Sequence, residues 1–182
     1  MGEMKSAREK AMERAEKLGK LSEDELKQME YLPVGTRLAA RYLKEEDYNL
    51  DAELMKYKGT GVRKYIIQGA QEIFLRNITL PKTQRDKYAA NRAMAGIRLL
   101  KENKNQLEAV LDRITNLLNY YEQARQQTYL QFKKGFEAKL KEANQAIQQQ
   151  LGAKVRIEPE QHPQFIEEWH KISSQLDAQY EK

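Results

Sequence analysis

His162 and His170 are the only imidazoles in this 182-residue chain, and both lie in its acidic C-terminal segment. Eight residues apart on a helix, they diverge by about 80° at 3.6 residues per turn, which makes no metal face. Glu167 and His170 have the Glu-x-x-His spacing of dimetal helical bundles, but that chemistry needs a second such motif and two more inward glutamates. Neither is present. Gly59-Thr60-Gly61 followed by Lys64 faintly resembles a phosphate loop, yet it lacks the Gly-Lys-Ser/Thr ending and a preceding buried strand, so it reads as a turn between helices. The absence of cysteine removes disulfides, thiolate zinc sites and cysteine nucleophiles together, and fits a reducing cytoplasm. No Ser/His/Asp set is suggested, and the many carboxylates sit in charge-rich runs. The expectation is therefore no catalytic, cofactor-binding or metal residue, and no enzyme.

The most ordered pattern is apolar. Leu107, Leu118, Tyr129, Leu140 and Leu151 recur every eleven residues, accompanied by Val110, Tyr121, Phe132 and Ala143 and by Ile114, Phe136 and Ile147. Eleven residues over three turns lays these positions, with Leu111 beside them, along one nearly straight stripe. A single helix from about Lys104 to Leu151 would run roughly 70 Å, so its seam is expected to exceed what the rest of the protomer covers. Arg125 alone interrupts the seam, inside an aromatic section of Tyr120, Tyr121, Tyr129, Phe132 and Phe136. Two readings apply to it: a recognition patch in which Arg125 stacks or pairs across an interface, and a buried seam in which its stem packs and its head reaches water. The second is preferred. After Gly152, Lys154–Ile157 reads as an extended linker, and Phe165, Trp169, Ile172, Leu176 and Tyr180 define a last amphipathic helix. It is expected to return antiparallel along the distal third of the long helix, with Trp169 as its main anchor.

Charge is unevenly spread around a net +5: residues 1–60 are nearly neutral, residues 61–157 carry +10 and residues 158–182 carry −4. An acidic last helix on a basic long helix is favoured, though exposed pairs contribute little each. The run Lys82, Arg85, Lys87, Arg92, Arg98, Lys101 and Lys104 offers an alternative, contact with phosphates of RNA or a ribosome. These charges wrap both flanks of their helix instead of forming one ridge, and only Tyr88 is near for base stacking.

The elements that hold these residues are helical throughout. Few glycines and prolines, 32% charged residues and a mean hydropathy of −0.87 describe solvated helices. Met4, Ala7, Ala11, Ala15 and Leu18 follow helical spacing, and Ser22 with Glu25 forms a capping box for a short helix to about Glu30. Pro33 and Gly35 are expected to break the chain, with Thr36 capping a helix that carries Leu38, Ala39, Tyr42 and Leu43. Another start near Asp51 would bury Leu54 and Met55. Val62, Tyr65, Ile66, Gly69, Ile73 and Phe74 mark a stronger helix, Pro81 a boundary, and Tyr88, Ala89, Ala93, Ile97 and Leu100 the next helix, with Gly96 a weak spot. A bend is expected near Asn103. The predicted organisation is all-α: residues 1–80 a cluster of short helices, residues 81–182 a long helix closed by a coiled-coil-like hairpin. No secretory signal is apparent in residues 1–20, and no window spans a membrane.

Ala7-Arg8-Glu9-Lys10-Ala11, Tyr31-Leu32-Pro33-Val34-Gly35 and Leu151-Gly152-Ala153-Lys154-Val155, followed by His162-Pro163-Gln164-Phe165, resemble a family of uncharacterised bacterial all-helical proteins. The resemblance implies a helical fold and no particular activity, and it assigns no residue a role. The reading from the residues themselves is a helical scaffold or adaptor that self-associates, most simply as a homodimer, through Leu107, Leu111, Ile114, Leu118, Tyr121, Arg125, Tyr129, Phe132, Phe136, Leu140 and Trp169. The alternative is the basic RNA- or ribosome-associated factor.

Overall fold

In a computed structural model, residues 21–101, 105–151 and 158–181 are described, without the side chains of residues 105 and 143–151. The expected N-terminal alanine-rich helix, Lys104, and the linker at 154–157 lie outside the described residues. Among the described residues the chain is all helical: α1 (Glu23–Lys44), α2 (Leu50–Met55), α3 (Arg63–Arg76), α4 (Gln84–Leu100), α5 (Asn105–Leu151), a short 3-10 turn (Pro159–Gln161) and α6 (Pro163–Tyr180). These residues fall into two compact units, one within Met1–Thr79 and Tyr88–Leu107, the other within Leu80–Lys87 and Glu108–Lys182.

In the first unit, α1 starts at the expected capping box: Ser22 Oγ accepts from the Glu25 amide at 3.3 Å, and the Glu25 carboxylate accepts from the Ser22 amide at 2.8 Å. Pro33 and Gly35 do not break it. Pro33 is exposed, so the Met29 carbonyl that it deprives of a helical donor lies on the solvent side of α1. Thr36 is no cap; its hydroxyl donates back to the Leu32 carbonyl at 3.2 Å. Gly35 instead marks a close crossing. A Cβ there would stand 1.9 Å from the Ile66 carbonyl oxygen of α3, and one on Gly69 would stand 2.1 Å from the Leu32 carbonyl of α1. Two backbones meet with no side chain between them, so the helix must continue through Pro33 to present Gly35 to Gly69.

Around that crossing the core gathers Leu38 and Ala39 of α1, Leu50 and Leu54 of α2, Ile66, Ala70 and Phe74 of α3, and Ala93, Ile97 and Leu100 of α4. The helix expected to start near Asp51 is α2, capped by Asn49, which accepts from the Ala52 amide at 3.0 Å; it buries Leu50 with Leu54 while Met55 faces solvent. Gly59 takes φ +78° in the turn before α3, as a helix-to-helix connection requires. Tyr42 meets Phe74 edge-on at 5.7 Å, and the Phe74 ring lies where a side chain at Gly96 would be, 2.4 Å from its Cβ. Gly96 is thus a packing position instead of a weak spot. Pro81 precedes the cap of α4, which is a reciprocal pair: Thr83 Oγ1 accepts from the Asp86 amide, and Asp86 accepts from the Thr83 amide at 2.9 Å.

The second unit is built on α5, at 47 residues roughly 70 Å long, and on α6, 18 residues and roughly 27 Å. The two run antiparallel. Phe165, near the start of α6, meets Phe132 and Phe136; Trp169 meets Tyr129 and Phe132; Tyr180, at its end, meets Tyr121. The predicted hairpin is present, but it closes over the middle of α5, from Tyr121 to Phe136, and not over the distal third. The aromatic residues decide the position, since each buried ring pair adds roughly 0.5–1.5 kcal/mol to its area burial.

Candidate functional site

The seam predicted as an intermolecular interface is largely covered by the protomer itself. Leu111, Leu118, Tyr121 and Phe136 are buried, while Ile114, Arg125, Tyr129, Phe132, Leu140 and Trp169 are half-buried. Leu107 is half-buried against the core of the first unit. Val110 departs from the pattern at 51% exposed, so the stripe is interrupted at a second place besides Arg125. The estimate that the protomer's remaining residues could not hide the seam fails over Tyr121–Phe136, because α6 spends its largest side chains there.

At the upper end of the seam the structure places a residue that the sequence reading passed over. Asp177 of α6 is buried and accepts a 2.6 Å hydrogen bond from the Tyr121 hydroxyl. Its other oxygen pairs with Lys82 Nζ at 2.6 Å, and Arg125 lies 3.8 Å away. Burial pushes the Asp177 carboxyl up, but the hydrogen bonds from Lys82 and Tyr121, with the charges of Lys82 and Arg125, outweigh it and hold the group below its ordinary value. The same contacts act in the opposite direction on the phenol: burial first, then the bond to Asp177, pushes Tyr121 up to about 12. Arg125 also lies over the Trp169 ring at 5.5 Å. Its head faces an acid on the returning helix, Asp177.

Below this centre, Lys133 pairs with Glu160 of the 3-10 turn, and Tyr129 Oη lies 3.4 Å from the same carboxylate. Lys133 above all holds Glu160 below its ordinary value. His162 is the cap of α6: its Nδ1 accepts from the Gln164 amide at 3.2 Å, and its ring meets Phe136 edge-on at 5.5 Å. Glu167 pairs with Lys171 at 2.7 Å instead of with His170. Among the described residues no group of three His, Asp or Glu is arranged to hold a metal ion.

Beside the Asp177 centre opens a cleft of about 510 Å³. Pro81, Lys82, Thr83 and Gln84 form one wall, and Glu122, Arg125, Gln126, Tyr129 and Trp169 form the rest. Glu122 is neutralised by Lys87 at 2.6 Å. No pattern in the sequence announced this cleft, although the basic residue in the apolar stripe was its strongest signal.

The basic stretch is divided between the two units and is largely engaged. Lys82 and Lys87 are paired as above. Arg92 donates to the carbonyls of Tyr42, Glu45 and Glu46 and stacks on the Tyr42 ring at 4.4 Å. The Tyr42 carbonyl belongs to the last turn of α1, which the helix itself leaves without a donor, and Glu45 and Glu46 follow its end. Arg98 is half-buried, and Arg85 and Lys101 are exposed. No helix among the described residues is long and apolar enough to cross a membrane.

Comparisons with curated proteins and with solved structures each found no match. A family of unknown function (DUF6657) matches residues 51–182, a span that holds the third of the resembling segments and leaves out the first two. With most of its length in that match, α3 to α6 included, the chain belongs to this family of unknown function.

Proposed function

We propose that the protein is a non-enzymatic helical scaffold or adaptor that works by protein–protein interaction, beginning with coiled-coil-like pairing of two copies in the cytoplasm. The supporting observation is an edge of α5 that α6 leaves open: Val110, Leu117 and Tyr120 are 51%, 44% and 65% exposed. At 3.6 residues per turn they fall within an arc of about 80°. Large apolar side chains grouped on one edge are a contact surface, and a twofold pair needs only one such edge because the same patch serves both copies. Leu118, buried within the protomer, would melt the hairpin if charged and so reports nothing on association. Leu117 separates the two effects.

Light scattering with small-angle scattering on the full chain tests this. The expected result is a dimer that Leu117→Glu converts to a monomer with unchanged helix content and unchanged Trp169 emission. A monomeric wild-type chain at all accessible concentrations overturns the self-pairing. The second reading, a basic RNA-associated factor, retains Arg85 and Lys101 as exposed cations but has Lys82, Lys87 and Arg92 already engaged. Nucleic-acid capture across a salt series distinguishes it, since phosphate contacts weaken steeply with salt and an apolar edge does not.

A further inference from the structure

The cleft beside Asp177 has the size of a small-molecule site, about 510 Å³ against roughly 300–1,000 Å³ for such pockets. Its chemistry narrows what would fit. Arg125 is the least satisfied charged group that lines it. A guanidinium carries five N–H donors, and among the described residues Arg125 uses one, in a long 3.4 Å bond to the Tyr121 hydroxyl. The Asp177 oxygen at 3.8 Å is beyond hydrogen-bond reach. Its side chain is 23% exposed, so it is largely withdrawn from water, and the ion pair with Asp177 and the Trp169 ring leave most of its N–H donors unused.

The charge balance fixes the ligand's valence. Lys82 and Arg125 share one carboxylate, Asp177, and Glu122 is cancelled by Lys87, which leaves one unmatched positive charge at the cleft. That suits a monoanion better than a dianionic phosphate. A guanidinium fork is also the natural partner of a planar carboxylate. The wall beside Arg125 is aromatic: Tyr129 and Trp169 meet edge-on at 5.0 Å, and both line the cleft.

We propose that this cleft binds an aromatic monocarboxylate, its planar carboxylate on Arg125 and its ring against Trp169 and Tyr129. Two sources share that chemistry, a free aryl carboxylate and the C-terminus of a polypeptide ending in an aromatic residue. The site stands apart from the edge assigned to self-pairing, so either can fail without the other.

Trp169 is the single tryptophan of the chain, so its emission reports on the cleft directly. Benzoate added to the full chain is expected to change that emission saturably, with calorimetry giving the same affinity, while the neutral isostere benzamide produces no saturable change. N-acetylphenylalanine and its amide form the second arm, and tighter binding of the acid than of benzoate assigns the polypeptide source. Arg125→Gln is expected to weaken benzoate by about tenfold or more, the value of a charge-assisted hydrogen bond. Gln126→Glu guards against misfolding of that variant: Gln126 is exposed, and a carboxylate there repels the ligand without touching the core. Lys139→Gln, an exposed change outside the cleft, is expected to leave binding unaltered. Equal response to benzoate and benzamide, wild-type affinity in Gln126→Glu, or no saturation by either acid overturns the proposal.

Discussion

The two units achieve stability by opposite means. The first closes around glycine: Gly35 and Gly69 let two helix backbones touch, Gly96 receives the Phe74 ring, and the clustered core is apolar. The second closes around aromatic rings and places a charged carboxylate, Asp177, at one end of its contact. A glycine crossing tolerates no added atom and has no titrating group at its contact. A ring-and-carboxylate contact is permissive in shape and depends on protonation.

Gly35→Ala gives the strongest test of this contrast. Alanine is the better helix former by roughly 1 kcal/mol, but its Cβ would overlap a backbone oxygen that cannot rotate away. A net loss of about 2 kcal/mol or more is expected in chemical denaturation followed by circular dichroism. A neutral outcome would mean that the helices do not cross at this distance.

Asp177→Asn should rank next, at about 1–3 kcal/mol, because Lys82 and Arg125 lose their countercharge while Tyr121 keeps an acceptor. Its pH dependence has a definite sign. The folded carboxyl titrates below its ordinary value of 3.8, so its contribution is complete above that value and disappears as pH falls through the folded one. Trp169 emission, which reads the second unit alone, should therefore show acid-weakened stability in the wild type and less of it in Asp177→Asn.

Tyr121 works in the alkaline direction. Its folded value of about 12 stands above the ordinary 10.0, so the stabilisation is complete below 10.0 and lost as pH rises through about 12. Ultraviolet titration should find Tyr121 among the phenols that ionise late, with Tyr31, Tyr48 and Tyr129 also raised, and Tyr121→Phe should remove its step at a cost of about 1 kcal/mol. The smallest effect reverses the first one: Gly135 of α5 has open space where its Cβ would be, so Gly135→Ala should stabilise by roughly 0.5–1 kcal/mol. The same substitution with opposite sign at residues 35 and 135 isolates the crossing as the cause.

What could be read from residues alone was whatever local periodicity encodes. The eleven-residue seam, the Ser22–Glu25 box and the amphipathic face of Phe165 and Trp169 follow from spacing within one helix, and the turn at Gly59 from its local Gly-Thr-Gly composition. Pro33 misled because its rule is local, whereas the reason α1 continues lies 36 residues away at Gly69. Asp177 was overlooked although it continues the four-residue row Phe165, Trp169, Ser173 along α6; a lone arginine in an apolar stripe calls for an acid on whatever covers it. Arg92 belonged to a basic run by composition and to the carbonyls at the end of α1 by tertiary contact, which no charge pattern encodes.

The crossing of Gly35 and Gly69 also bears on where this protein can be cut. The family match opens at residue 51, yet half of that backbone contact, with Leu38, Ala39 and Leu50, precedes it. A fragment trimmed to the shared segment would uncover the grooved flank of α3, Ile66 and Ala70 included, to water. Similarity ends there, but the autonomous folding unit does not, and truncations designed on the former would be expected to aggregate.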